Sequence, residues 1–229
     1  SLVGSEMCIR DSIYTVPVNG GKAAQITTNA AHDTHPVWSP DGKQIAFASD
    51  RMGSMDIFVV DREGGIPKRL TTHSGNETPV AFKDADHILF LANVMPSAED
   101  AQFPSGQFQQ VYEVSTTGDR PVMFSSMPME DISINKTGNA LLYHDKKGYE
   151  DPWRKHHTSS ITRDIWLCSL DGKRSYRKLT SFNGEDRTPV WASDGKSFYY
   201  LSEEKGSFNV FKRALDGTCL LYTSPSPRD

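Results

Sequence analysis

The adjacent pair His156 and His157, with Glu150 and Asp151 a few positions upstream, brings together residue types that ligate metal ions or relay protons. On an extended chain neighbouring side chains point to opposite sides. No His-x-x-x-His spacing or third ligand is evident, so no metal centre is assigned. His32 and His35 flank Asp33 in a turn that internal repetition explains, and they are not read as ligands either. There is no Gly-x-Ser-x-Gly elbow to place a serine nucleophile on a strand-to-helix turn. The sequence therefore leads us to expect no catalytic residue, no bound cofactor and no metal.

Residues suited to binding are more evident. Asp33, Asn76 and Asp186 each stand three positions before a proline, Pro36, Pro79 or Pro189. They could form a polar collar that accepts hydrogen bonds from a peptide's N–H groups or amino terminus. Equally, each short side chain could bond backbone amides of its own turn. The polar stretch from His144 to Arg163 places Tyr149 and Trp153 among Lys146, Lys147, Arg154, Lys155 and Arg163. Tyr149, Trp153, Arg154, Lys155 and Arg163 could make an aromatic and basic lip for carboxylates of a peptide or partner, with guanidinium forks supplying paired hydrogen bonds. The alternative is that Trp153 pins the loop to its own element while the charges are solvated.

These residues are positioned by a repeat. The segment from His32 to Phe47, with its Pro-Val-Trp-Ser-Pro-Asp-Gly-Lys run, returns as Asp186 to Tyr200, and in weaker form as Asn76 to Phe90 and Ile134 to Tyr143. On this reading Pro36, Pro79 and Pro189 mark one position. A second apolar run follows each copy, at Asp56 to Asp61, Gln110 to Val114, Asp164 to Cys168 and Asn209 to Arg213, with Ile13 to Val16 leading. Short runs at Gln25 to Thr28, Arg69 to Thr72 and Lys178 to Ser181 complete the pattern. All are rich in β-branched and aromatic residues and bounded by Gly, Asp or Asn, which is strand chemistry. Four short strands every ~40–50 residues is the period of a propeller blade. The expected fold is all-β, a β-propeller fragment of four-stranded blades, about three full blades near 36–72, 79–124 and 132–181 between two half-blades. In such blades the loop into the first strand and the loop joining the second and third share a face, which groups Asp33, Asn76 and Asp186 with the insertions 93–109 and 144–163. Trp38, Trp191, Phe47 and Tyr200 are expected in the core between blades.

The termini read differently. Residues 1–12 and 219–229 back-translate to one DNA sequence read on opposite strands, which resembles a transposase-based sequencing adaptor; 13–218 is the expected partial propeller. Setting the ends aside removes Cys8 and Cys219 and leaves Cys168, so no disulfide framework is expected. The chain carries a formal net charge of −4, which does not suggest a nucleic-acid surface. No apolar run reaches the length of a membrane span.

The Asp-x-x-Pro-x-Trp-Ser-Pro-Asp-Gly-Lys run at 33–43, Ala48-Ser-Asp-Arg51 and Asp56-Ile-Phe-Val-Val-Asp61 resemble the WD-like repeats of TolB-type propellers. The run from Lys147 to Trp166 is similar to the propeller of bacterial tricorn protease homologues, where a comparable insertion precedes a strand. The resemblance covers residues 13–218. It implies a propeller that guides peptide or unfolded protein substrates to PDZ-like and tail-specific-protease-type serine peptidase domains of the same chain, in the periplasm rather than the cytoplasm. A TolB-like binding propeller of the cell envelope, and the propeller cap of a prolyl-oligopeptidase-like enzyme, are the alternatives.

Overall fold

The computed structural model describes residues 12–93, 109–148 and 161–221, and every regular element among them is a strand. The chain divides into two compact units, Ser1–Met127 and Pro128–Asp229. The first contains β1 (Tyr14–Thr15), β2 (Ala24–Gln25), β3 (Asp33–Trp38), β4 (Gln44–Ser49), β5 (Asp56–Asp61), β6 (Lys68–Arg69), β7 (Glu77–Phe82), β8 (His87–Ala92), β9 (Gln110–Ser115) and β10 (Val122–Ser125). The second contains β11 (Met129–Ile134), β12 (Ala140–Asp145), β13 (Ile165–Ser169), β14 (Ser175–Lys178), β15 (Asp186–Trp191), β16 (Ser197–Ser202), β17 (Asn209–Ala214) and β18 (Cys219–Leu221). Consecutive strands pair antiparallel into four four-stranded sheets, β3 to β6, β7 to β10, β11 to β14 and β15 to β18, and one two-stranded sheet, β1 with β2. The fold is all-β, built of β-propeller blades.

The continuous apolar runs follow from how the sheets stack. Side chains alternate across a strand, and β4, β5, β8 and β12 are covered on both faces, so their central residues are apolar at both register positions. In the first unit Ile45, Phe47, Phe58 and Val60 cluster with Ile13 and Ile26, which flank the two-stranded sheet, with Trp38 packed alongside. The intervening Ala46, Ile57 and Val59 pack against Phe82, Ile88, Phe90, Tyr112 and Val114 of the next blade. In the second unit Leu142 and Ile165 meet Phe198, Tyr200 and Phe211, with Trp191 beside them. Each such side chain contributes about 1.5–3 kcal/mol by leaving water.

The first-to-second strand turns are held by their aspartates. Asp41 Oδ1 accepts from the Ser39 hydroxyl at 2.7 Å and the Lys43 amide at 3.1 Å, and the Ser39 hydroxyl bond in particular holds this carboxyl down at about 2. Gly42, at φ 68°, supplies the left-handed step. Asp194 repeats the arrangement with Ser197 and Lys196, followed by Gly195 at φ 62°.

Several points differ from the expectation: β2 and β6 are Ala24–Gln25 and Lys68–Arg69 rather than 25–28 and 69–72. The outer strand of the third blade is Ser175–Lys178 rather than a run starting at Lys178. The last blade, expected as a half, has four strands, since Cys219–Leu221 pairs with β17 through Phe211↔Leu221 and Arg213↔Cys219. Finally, Pro79 is not equivalent to Pro36 and Pro189. Pro79 is the third residue of β7, whereas Pro36 and Pro189 are the fourth residues of β3 and β15.

Candidate binding surface

Each first strand of a blade opens at the same register position and then bulges. Asp33 pairs with Ser49, Glu77 with Ala92, Met129 with Asp145 and Asp186 with Ser202. The ladder then slips by one residue, between Thr34 and Val37, Pro79 and Ala81, Glu130 and Ser133, and Arg187 and Val190. In three of the four strands the third residue adopts a left-handed backbone, His35 at φ 52°, Asp131 at φ 50° and Thr188 at φ 54°. A proline ring cannot reach positive φ, so Pro79, third in its strand, passes this position in the ordinary region and the slip falls one step later. Within each blade the bulge lies close after the strand-opening residue, where the candidates Asp33 and Asp186 stand.

The carboxylates that open the strands are buried in the fold. The Asp33 side chain is wholly covered, and Arg51 Nη2 meets its two oxygens at 2.8 and 3.1 Å. That guanidinium also lies 4.6 Å from the ring centre of Phe58 and 5.3 Å from that of Phe47, and its Nε donates to Ser49 Oγ at 2.9 Å. Asn76 Oδ1 accepts from the Met55 amide at 3.3 Å, tying two loops together. The register counterpart of Asp33 in its blade is the buried Glu77, which sequence alignment on the prolines misses by one residue. Thr71, six residues upstream, accepts the Ile57 amide at 2.8 Å and donates to Glu77. Thr180, six residues before Asp186, likewise accepts the Ile165 amide, at 3.0 Å. Burial pushes Glu77 up to about 7 and Asp186 up to about 6.

Of the insertion residues, Tyr149, Trp153, Arg154 and Lys155 lie outside the described residues, as do Glu150, Asp151, His156 and His157. Arg163 is described. Its Nη1 bonds Glu185 Oε1 at 2.7 Å and its Nε lies 3.6 Å from Glu130 Oε2. Around it stands a charged cluster that sequence reading did not assemble. Glu130 takes Lys146 Nζ at 2.7 Å and His144 Nε2 at 3.2 Å, and the His144 bond leads in holding its carboxyl down at about 2. Lys147 bonds Asp164 and, at 2.7 Å, the Thr162 carbonyl; Lys178 reaches Asp164 at 2.9 Å. Lys147 and Thr162 thus join the end of β12 to the residues leading into β13. Among the described residues no group of three or more His, Cys, Asp or Glu could hold a metal ion. Cys168 is buried and free, and among the described residues no helix is long and apolar enough to cross a membrane.

Residues 7–221 match the family described as the tricorn protease N-terminal beta propeller domain. The chain belongs to that family. A curated relative is tricorn protease homolog 1 of Streptomyces coelicolor, 24% identical over 215 residues, a match that takes in 94% of this chain and 19% of the relative. Among solved structures, the tricorn protease superposes with a TM-score of 0.69 at 19% identity, over 94% of this chain and 21% of that one. TolB from Acinetobacter baumannii superposes with a TM-score of 0.70 at 18% identity, over 94% of this chain and 49% of that one. At these identities the two structures share the fold. The chain spans about a fifth of the length of the curated relative.

Proposed function

We propose that these blades are a non-catalytic, peptide-guiding segment of a tricorn-like serine protease whose PDZ-like and peptidase domains belong to the same polypeptide. The observation that carries the reading is the family match, which runs through all four blades. The bulged first strands of each unit support it as carrying contacts for extended peptides. The proposed contacts are Asn76 in the first unit and Arg163 in the second, with the insertion residues Tyr149, Trp153, Arg154 and Lys155. Asp33 and Asp186 act from beneath by fixing the strand ends. The reading of 1–12 and 219–229 as adaptor-derived belongs to the same proposal.

The genomic reading frame through residues 12 and 219 tests both parts. The expected frame replaces the terminal segments and continues into PDZ-like and peptidase regions. A frame that closes the propeller and stops would instead favour the TolB-like reading, which the TM-score of 0.70 to TolB supports equally well at the level of fold. An α/β-hydrolase region with Gly-x-Ser-x-Gly would favour a prolyl-oligopeptidase-like cap. In the recovered full-length protein, deleting the propeller should reduce discrimination between long unfolded and short substrates. Equal kcat/KM ratios with and without it would overturn the guiding role. The 229-residue chain itself is expected to leave casein intact, and turnover blocked by a serine-protease inhibitor would count against the assignment.

A further inference from the structure

His144 occupies a position that the repeat does not explain. It is the fifth residue of β12, lies opposite Glu130 on β11, and has a side chain only 5% exposed. Its ring reaches three groups on two blades of the second unit. Nε2 lies 3.2 Å from Glu130 Oε2, Nδ1 accepts the Thr188 amide at 3.2 Å, and Asp131 Oδ2 lies 3.6 Å from the same Nδ1. Thr188 also donates its hydroxyl to Asp131 Oδ2 at 2.7 Å. An Nδ1 that accepts an amide hydrogen carries none of its own, so the ring is the neutral tautomer with its hydrogen on Nε2, given to Glu130.

Both residues at the far ends of these contacts are strained. Asp131 and Thr188 are the left-handed bulge residues of β11 and β15, and a β-branched residue at positive φ is a marked departure from its preferred backbone. Such a conformation persists only while its surroundings fix it. At Thr188 those surroundings are the imidazole and the Asp131 carboxylate.

We propose that His144 is a protonation-controlled latch that holds the bulge of β15 to that of β11. A proton taken from solvent onto Nδ1 turns the acceptor of the Thr188 amide into a donor. The amide then faces a like partner, while the new N–H finds Asp131 Oδ2, the same atom that holds the Thr188 hydroxyl. Both bonds that fix the Thr188 bulge are weakened by one event. The charged groups on the ring are Glu130 and Asp131 from β11; Lys146, just after β12, and Arg163, before β13, reach Glu130, and Glu185, before β15, is held by Arg163. Asp145 and Arg187 turn away, to the Asp164 amide and the Phe208 ring. Release would reshape the end of β15 next to the Arg163 and Glu185 pair, on the proposed contact surface.

The test is solution NMR on the isotopically labelled full chain from pH 5 to 8, following the His144 ring nitrogens and the Thr188 amide. Expected is an Nδ1 that reads as an unprotonated acceptor at pH 8 and titrates on acidification. The Thr188 amide should move with the same midpoint and lose at least tenfold of its hydrogen-exchange protection after correction for the intrinsic rate. A ring that stays neutral throughout, or an amide that ignores the ring, overturns the latch. Asp186 titrates in the same range, so His144→Gln separates the two: glutamine offers an acceptor and a donor but no titration. Thr188 should then be insensitive to pH, and a persisting titration assigns the effect to Asp186 and overturns the proposal. Should that variant not fold, the wild-type comparison of ring and amide decides alone.

Discussion

Arg51 is held by a covered carboxylate, a serine hydroxyl and two aromatic faces, so it belongs to the core although its own sequence context, Ser-Asp-Arg, reads as a surface turn. Removing one partner of a buried ion pair strands the other charge, at a cost of about 3–5 kcal/mol. Arg51→Ala should therefore lower stability in urea unfolding by about that much, and by more than the double replacement Asp33→Asn with Arg51→Leu. Equal losses would show that the pairing itself carries little. Glu77 makes a pH-dependent contribution. Its carboxyl keeps a proton up to about 7 in the fold against an ordinary 4.5, so the folded state binds more protons between those values. The stability it contributes is complete below 4.5 and is lost as pH rises through 7. Urea midpoints measured from pH 4 to 8 should fall with pH, and Glu77→Gln should flatten the fall, leaving the smaller slope that Asp186, raised to about 6, gives in the same direction. A variant slope identical to wild type would rule out Glu77 as its source.

At the scale of the strand, strand content, turn type and blade order could be read directly from apolar runs bounded by Pro-Asp-Gly and Ser-Asp-Gly. The bulges could not. A proline one position out of step in β7 looks like the same landmark, because spacing along the chain does not reveal which residue faces which across a ladder. Counting from the strand-opening acid instead would have aligned Glu77 with Asp33 and Asp186, and the threonine six residues before each acid, at Thr27, Thr71 and Thr180, was the available signal. The His144 cluster depended on contacts between residues more than 40 positions apart, such as Thr188 with His144, which no local pattern encodes. The strain itself can be probed where the side chain is exposed. His35→Gly should hold or raise stability by up to about 1 kcal/mol, since glycine tolerates positive φ but loses more chain entropy, whereas His35→Val should lower it by about 1–2 kcal/mol. If valine were as stable as glycine there, the left-handed backbone at His35 would not be retained in solution.

At the scale of the molecule, the described cores around Phe90 and around Phe198 each lie within one unit. Phe90, fully buried and stacked 5.7 Å from Tyr112, belongs to the first; Phe198, 5.4 Å from Tyr200, belongs to the second. Phe90→Ala should cost about 3–5 kcal/mol and speed hydrogen exchange across β3 to β9, and Phe198→Ala should do the same across β12 to β17. Exchange that stays slow in the strands around the truncated ring would contradict those core assignments. The doubly covered middle strands have a further consequence. In a sheet with one wet face, sliding a strand by one residue drives its apolar set into water, and the hydrophobic effect alone polices alignment. In β4 and β5 both sets are apolar, so a slipped Ile45-Ala-Phe-Ala48 against Ile57-Phe-Val-Val60 would bury nearly as much oil as the native one. What a slip would break is the polar hardware at the strand ends, Asp33 from Arg51 and Thr71 from the Ile57 amide and Glu77. These buried polar pins supply the alignment information that the apolar strands between them lack.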